Sequence, residues 1–322
     1  MRWRRLLPNY TASRDELLSL IDQRIAVALS AKPWSRNIFI PPAALYAGDG
    51  TKPFMHYSTC SAADFFHPRF FELSRSLNAQ LRFHRKLWEW VFIAHIAQRA
   101  GIGPGKRALG FGVGREPLPA FLASLGAGVT ATDAPAEIRA EQGWQKGEFS
   151  SSVDHLPFVG ILDQERMRRQ VQFKVCDMNH ISEDLKDFDF CWSSCSLEHL
   201  GGLQNGIDFI IGSVNTLKPG GVACHTTEFN LSSDTETVEG GPTVIYRKCD
   251  LDKLVGNLRR MGHKVDDISV APDAHHLDAF VDTPPYSQTH HLKLQLLNFS
   301  VTSVGIVIQK AKHVAQDGLP QI

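Results

Sequence analysis

From residue 105 the chain alternates short apolar runs with amphipathic stretches, and this alternation restricts the possible folds more than any other feature. Arg107 to Phe111, Val129 to Thr132, Val171 to Cys176, Phe188 to Ser193 and Val222 to Thr227 are almost continuously apolar. Strands covered on both faces of a parallel sheet have that texture. Pro117 to Leu125 and Gly206 to Leu217 fit between them as helices. The pattern predicts a doubly wound α/β sheet. Right-handed crossovers would then put the carboxyl ends of the strands on one edge, where ligands bind in such sheets. A helix over Leu251 to Met261, stopped by Gly262, follows with strands over Lys264 to Val270 and Phe299 to Gln309, giving seven strands in all.

Residues 1–104 read differently. Asp15 to Ala28 is an amphipathic helix with Ser13 as its N-cap, and Phe70 to Leu81 and Leu87 to Ala100 are two more. Pro41-Pro42 and Gly48-Asp49-Gly50 force loops between them. The expected organisation is a mainly helical extension over 1–104 that covers an acceptor site, a catalytic domain over 105–312, and a tail over 313–322. Tyr57, Cys60 and Asp64 with Phe65-Phe66 lie in an aromatic, irregular stretch suited to a lid over that site.

Composition narrows the partners. Lys plus Arg and Asp plus Glu number 34 each, so no global field draws the chain to nucleic acid or to an anionic membrane. No apolar run approaches the roughly 20 residues needed to span a bilayer, and the basic start Met1 to Pro8 lacks the apolar core of a signal peptide. The six cysteines lack paired metal-ligand spacing and read as reduced thiols of a cytoplasmic protein. His275-His276 and His290-His291 are poor metal pairs, because adjacent residues on an extended strand point to opposite sides.

The chemistry concentrates at Ala108-Leu109-Gly110-Phe111-Gly112-Val113-Gly114-Arg115-Glu116-Pro117, where three glycines leave a strand and enter a helix. Such a turn lets a ligand approach the backbone closely. Asp133 closes the next strand and Asp177 the third. Either acid alone would serve as a cap or turn former; together, at successive strand ends, they point to a bound nucleoside. A dinucleotide fingerprint Gly-x-Gly-x-x-Gly does not fit, since its last glycine would fall on Arg115 or Pro117.

These features, with Phe188-Asp189-Phe190-Cys191-Trp192-Ser193-Ser194 and the turn Leu217-Lys218-Pro219-Gly220-Gly221, resemble the class I S-adenosylmethionine (SAM)-dependent methyltransferases over about residues 105–310. The resemblance implies a Rossmann-like methyltransferase sheet of seven strands, the last antiparallel, with SAM across the carboxyl ends of the first strands. Carried over by position, Gly110, Gly112 and Gly114 line the methionine part, Asp133 takes the ribose and Asp177 the adenine, with Met178 and Ser194 as cofactor neighbours. The family commonly has an acid where Gly110 stands here. Glu116 either compensates for it from the helix start or is only a favourable first-turn charge. Arg85, in His84-Arg85-Lys86-Leu87-Trp88-Glu89-Trp90, either pairs with the SAM carboxylate while Trp88 covers the site, or lies in solvent on an amphipathic helix.

The catalytic candidates follow the fourth and fifth strands. Glu198 and His199 occupy a position where small-molecule methyltransferases often carry such a pair; His199 is a general base or a capping residue. Glu228, in His225-Thr226-Thr227-Glu228, is placed to touch an acceptor hydroxyl, whereas His225 reads as structural. The expected activity is methyl transfer to a small-molecule acceptor, at oxygen of a sugar, glycan precursor or secondary metabolite, with no metal and no nucleic-acid partner. A homodimer is the assembly kept open. The alternatives are a non-catalytic SAM-fold binding protein and a protein methyltransferase.

Overall fold

The structure is a computed structural model that describes residues 53–136, 138, 149–287 and 289–312. The helix expected over 15–28, the loops at 41–50 and the tail at 313–322 lie outside the described residues. Nine strands form one sheet: β1 Arg107–Phe111, β2 Gly128–Asp133, β3 Val171–Val175, β4 Phe188–Ser194, β5 Leu217–Asn230, β6 Lys264–Val265, β7 Val281–Asp282, β8 Lys293–Leu296 and β9 Phe299–Gln309. Their spatial order is β7-β8-β9-β5-β4-β1-β2-β3, with β6 also paired to β9. The strands β3, β2, β1, β4 and β5 are mutually parallel, and β9 runs antiparallel to β5 from Val222 to Asn230. The seven expected strands are present. Two short ones, β7 and β8, extend the sheet beyond β9.

Among the strands, two boundaries differ most from the sequence reading. β5 begins at Leu217 rather than Val222, because the Lys-Pro-Gly-Gly turn stays in the ladder across an irregularity opposite Phe188 to Phe190. β6 is only two residues long, and Ile268 to Val270 leave the sheet.

Helices cover both faces. On one lie α1 Pro68–Ser76, α2 Arg85–Arg99, α3 Leu118–Ser124 and α4 Gln164–Gln170; on the other lie α5 Leu203–Asn215 and α6 Lys248–Arg260. α2 has apolar side chains on most of its circumference and buries Leu87, Trp88, Val91, Phe92, Ile93, Ala94, Ile96 and Ala97. A helix apolar nearly all round belongs inside. The apolar cluster containing it runs from Cys60 to Leu292, so residues 53–104 and the sheet share one core. Among the described residues no helix is long and apolar enough to cross a membrane.

The segment expected as a lid has a different task. Thr59 bridges antiparallel to Val304, Gly305 donates its N–H to the Ser58 carbonyl at 2.7 Å, and the Cys60 N–H donates to the Ser303 carbonyl at 2.9 Å. Residues 58–60 therefore fill the outer edge of β9 between β8 and β6, covering backbone groups that would otherwise be open to pairing. Asp64 is buried and accepts from the Trp88 indole at 2.7 Å, so Trp88 is a core residue and not a cover over the site.

Gly305 marks how closely α2 approaches the sheet, since a Cβ there would stand 2.2 Å from the Phe92 ring. Gly305→Ala should lower stability by about 1–3 kcal/mol through forced repacking. Urea unfolding should show a lower midpoint with an unchanged slope.

Candidate active site at the carboxyl edge of the sheet

The glycine turn after β1 is built from two different constraints. Gly112 and Gly114 have φ of +57° and +48°, the left-handed region that glycine enters without strain. A Cβ on Gly112 would stand 2.8 Å from the Ser196 Cβ and 3.2 Å from the Met178 sulfur, so the turn is pressed against the loop after β4. Gly110 has another reason. A Cβ there would meet the Trp192 ring at 2.4 Å, so glycine is required for the neighbouring strand's indole to pack. The Trp192 Nε1–H donates to Glu116 Oε1 at 2.6 Å. Glu116 is 5% exposed and precedes α3, which begins at Leu118; it is therefore not a solvent charge on the first turn. Burial pushes its carboxyl up to about 8, against the hydrogen bond from Trp192.

The two strand-end acids are held by backbone donors. Asp133, buried at the end of β2, accepts from the Ala134 N–H and the Ser150 N–H, each at 2.9 Å. The Ser150 hydroxyl donates to the Gly114 carbonyl, which ties Asp133 to the glycine turn. Asp177 accepts from the Asn179 N–H at 2.9 Å and lies 2.8 Å from His180 Nδ1, with its side chain 26% exposed. Met178 beside it is buried against Gly112.

Beyond the glycine turn the ends of β4 and β5 meet the first turn of α2 in a buried polar cluster. His84 caps α2, its Nδ1 accepting from the Lys86 N–H at 3.0 Å. Arg85 Nη2 then reaches Glu228 Oε1 at 2.5 Å, and Nη1 lies 3.3 Å from Glu89 Oε1 and 3.2 Å from the Ser303 hydroxyl. Lys86 Nζ sits 2.7 Å from the other oxygen of Glu89. The Ser194 hydroxyl and the Cys195 thiol also donate to Glu89, at 3.2 and 3.0 Å. Glu89 is fully buried; burial raises its carboxyl, but Lys86 and Arg85 outweigh that and hold it at about 2. Glu228 moves the other way, to about 7, because burial and the nearby Glu198 and Glu89 outweigh Arg85.

Four polar atoms in and around this cluster are buried without a hydrogen-bond partner: Glu228 Oε2, Arg85 Nε, Ser196 Oγ and Thr226 Oγ1. Native proteins rarely leave such atoms unsatisfied, so a water, an ion or a polar ligand is expected to complete them. Cys195 adds backbone strain at the same place, with φ of +45° in a non-glycine residue.

The solvent position that the sequence allowed for Arg85 is not the one it takes, since its guanidinium is committed to Glu228 and Glu89. Glu198 joins the cluster, accepting from the Thr227 hydroxyl at 3.1 Å. His199 does not: its Nδ1 donates to the Pro242 carbonyl at 2.7 Å and lies 3.2 Å from the Thr243 hydroxyl, docking the ring on the 242–243 turn. His225 is structural, held between the hydroxyls of Ser193 and Ser213 at 2.8 and 2.9 Å, with burial lowering it to about 3. The ligating atoms of Cys195, Glu198 and Glu228 lie within 4.8 Å of one another, a spacing a cation could use. Arg85 already supplies the positive charge there, which works against metal occupancy.

Sequence reasoning missed Glu89, Lys86, Trp192 and Ser303. A signal existed for Glu89, a lone carboxylate within the most apolar stretch of the chain. Ser303 had none, since it meets Glu89 across more than 200 residues.

This strand order, with its antiparallel β9, glycine turn and strand-end carboxylate, defines a Rossmann-like methyltransferase fold. No family model and no curated protein matches the chain. Among solved structures it is similar to coclaurine N-methyltransferase bound to N-methylheliamine and SAH, with TM-score 0.45, 13% identity, and coverage of 93% of this chain and 95% of that one. It is similar also to the [4+2]-cyclase SpnF, with TM-score 0.43, 14% identity and coverage of 83% and 92%. A third is the DhpI–SAH complex, with TM-score 0.39, 16% identity and coverage of 69% and 84%. At this distance the chemistry has to be read from the site itself.

The raised carboxyl of Glu116 has a thermodynamic consequence. Its folded value of about 8 lies above that of an unfolded glutamic acid, so the folded state holds the proton more tightly. Stability is therefore lost as pH rises from about 4.5 through 8. Glu116→Gln keeps an acceptor for Trp192 and cannot ionise. It should match the parent at pH 5 and be more stable at pH 9, by on the order of 2–4 kcal/mol. Thermal unfolding at both pH values checks this.

Proposed function

We propose that this chain is a SAM-dependent methyltransferase that moves a methyl group to a small-molecule acceptor, at oxygen of a sugar, glycan precursor or secondary metabolite. What carries the reading is the buried cluster around Glu228, with unpartnered Glu228 Oε2, Arg85 Nε, Thr226 Oγ1 and Ser196 Oγ, of which Ser196 stands against the glycine turn. A buried polar cluster close to a nucleoside-type turn suits a small acceptor better than an open protein or nucleic-acid surface. The neutral charge balance speaks the same way, and six free thiols favour the reducing cytoplasm.

The residues present fit the cofactor. The Gly112–Gly114 turn gives close backbone approach, the Ser196 hydroxyl facing it lacks a partner, and Asp133 holds a fixed carboxylate at the next strand end. When bound, SAM supplies an activated methyl on a sulfonium. Gly110, Gly112, Gly114, Met178 and Ser194 would line its amino-acid side, Asp133 would take the ribose and Asp177 the adenine. Glu116, anchored by Trp192, stands in for the acid missing at Gly110. Arg85, committed to Glu228, would set the boundary of the acceptor space instead of pairing with the SAM carboxylate. Glu228 and Glu198 would orient the acceptor, while His199, docked on Pro242, would support the loop after β4.

A second reading, a binding protein of this fold without transferase activity, draws support from Gly110. Calorimetry with S-adenosylhomocysteine, followed by label transfer from methyl-labelled SAM to panels of sugars and phenols, separates the two. We expect binding, at least tenfold weaker in Asp133→Asn, equivalent to about 1.4 kcal/mol. Glu228→Gln should lower kcat at least a hundredfold and leave S-adenosylhomocysteine affinity nearly unchanged. Binding without transfer supports the second reading, label in polypeptide supports protein methylation, and no binding at millimolar ligand by folded protein removes the proposal.

A further inference from the structure

A second polar arrangement lies against the residues that lead into α2 and has no part in the scheme above. A two-residue parallel ladder pairs Phe83 with His290 and His84 with His291. His291 is buried, and its Nδ1 lies 2.7 Å from Asp282 Oδ2. The other oxygen of Asp282 accepts from the Ser287 N–H at 3.0 Å, so the carboxylate cannot swing away. The imidazole is boxed in by two rings. His84 lies against it at 4.6 Å, and Tyr286 meets it edge-on at 5.3 Å with its own hydroxyl donated to the Gln295 carbonyl.

A carboxylate accepts only, so the proton of neutral His291 sits on Nδ1 and leaves Nε2 as a bare acceptor. Nε2 makes no hydrogen bond to a described residue and is open to solvent, so it is free to take a proton. Its location is also specific: His84, in ring contact with His291, caps the helix whose next residue is Arg85, the partner of Glu228.

We propose that His291, oriented by Asp282, is the general base that takes the proton from the acceptor hydroxyl, a role that rests on the methyltransferase reading. The acceptor oxygen attacks the methyl carbon, the carbon–sulfur bond breaks with its electron pair passing to sulfur, and the hydroxyl proton moves to His291 Nε2. The products are the methyl ether, S-adenosylhomocysteine and an imidazolium facing Asp282. Asp282 is a positioning residue. The charged and titratable groups around the ring are Asp282 on β7, Tyr286 after it, Arg85 on α2, and Arg82 and His84 just before it. Burial and the two arginines keep His291 neutral below its usual range, while Asp282 acts in the opposite sense.

The test uses the full chain labelled with ring-15N histidine, with S-adenosylhomocysteine as the probe. Expected is an Nδ1-protonated His291 whose Nε2 resonance moves when the probe is added. A protonated Nε2 at pH 7, or an Nε2 resonance that ignores bound probe, overturns the proposal whether or not an acceptor has been found. With an acceptor from the panel, His291→Gln should lower kcat by about 10²–10⁴, with probe affinity within threefold of the parent. Asp282→Asn should lower kcat less and move the acid limb of the pH profile to lower pH, since the carboxylate that supports the imidazolium is gone. Retention of a third or more of kcat by folded His291→Gln overturns the assignment. If that variant does not fold, Asp282→Asn and the parent's resonances decide. Folded parent that fails to bind the probe defeats the methyltransferase reading itself, which is a separate outcome.

Discussion

Glu89 is the point on which the arrangement turns. A carboxylate with no exposed surface is tolerated only when cations and hydrogen-bond donors compensate its lost hydration. Here Arg85 and Lys86 come from its own helix, Ser194 and Cys195 from the end of β4, and Ser303 from β9. Satisfying one buried charge thus fixes three elements relative to one another. Removing a single partner would leave an uncompensated charge, typically costing about 3–5 kcal/mol. Apolar residues of similar size could fill the same volume without that liability. That the chain keeps ions there supports a role beyond packing.

The same network sets the electrostatics of the edge. Arg85 is shared between Glu89 and Glu228, so the second carboxylate is only partly compensated and rises while the first is depressed. Two acids a few residues of space apart are driven in opposite directions by their surroundings, an asymmetry that recurs at catalytic sites. Glu116 sits in a third environment, protonated more readily because its burial outweighs the indole hydrogen bond that favours its anion. The edge therefore offers one firmly ionised carboxylate and two that hold protons near neutral pH.

Much of the fold was legible because local pattern and global architecture agree. β1 and β9 match their apolar runs residue for residue, and the remaining strands of the doubly wound sheet differ at their ends. Periodicity reports which side of an element is covered, and in a parallel sheet both sides are. The additional strands β7 and β8 were not legible, since their few residues alternate polar and apolar side chains, and β8 pairs with β9 while β7 pairs only with β8. The stretch at 58–60 was misread for a related reason. Its aromatic neighbours suggested a cover, whereas its backbone completes a sheet edge that no local pattern announces.

By itself the sequence determined the class of sheet, the glycine turn at 110–114 and the carboxylates at strand ends, because these depend on spacing along the chain and on backbone conformations that few residues adopt. Tertiary structure alone decided what each polar side chain touches. Arg85 meets Glu228, Glu116 meets Trp192, His291 meets Asp282, and His199 turns away to Pro242. Hydrogen bonds and ion pairs act over a few ångströms between residues tens to hundreds apart in sequence. A linear pattern carries no record of such distances until the sheet has brought them together.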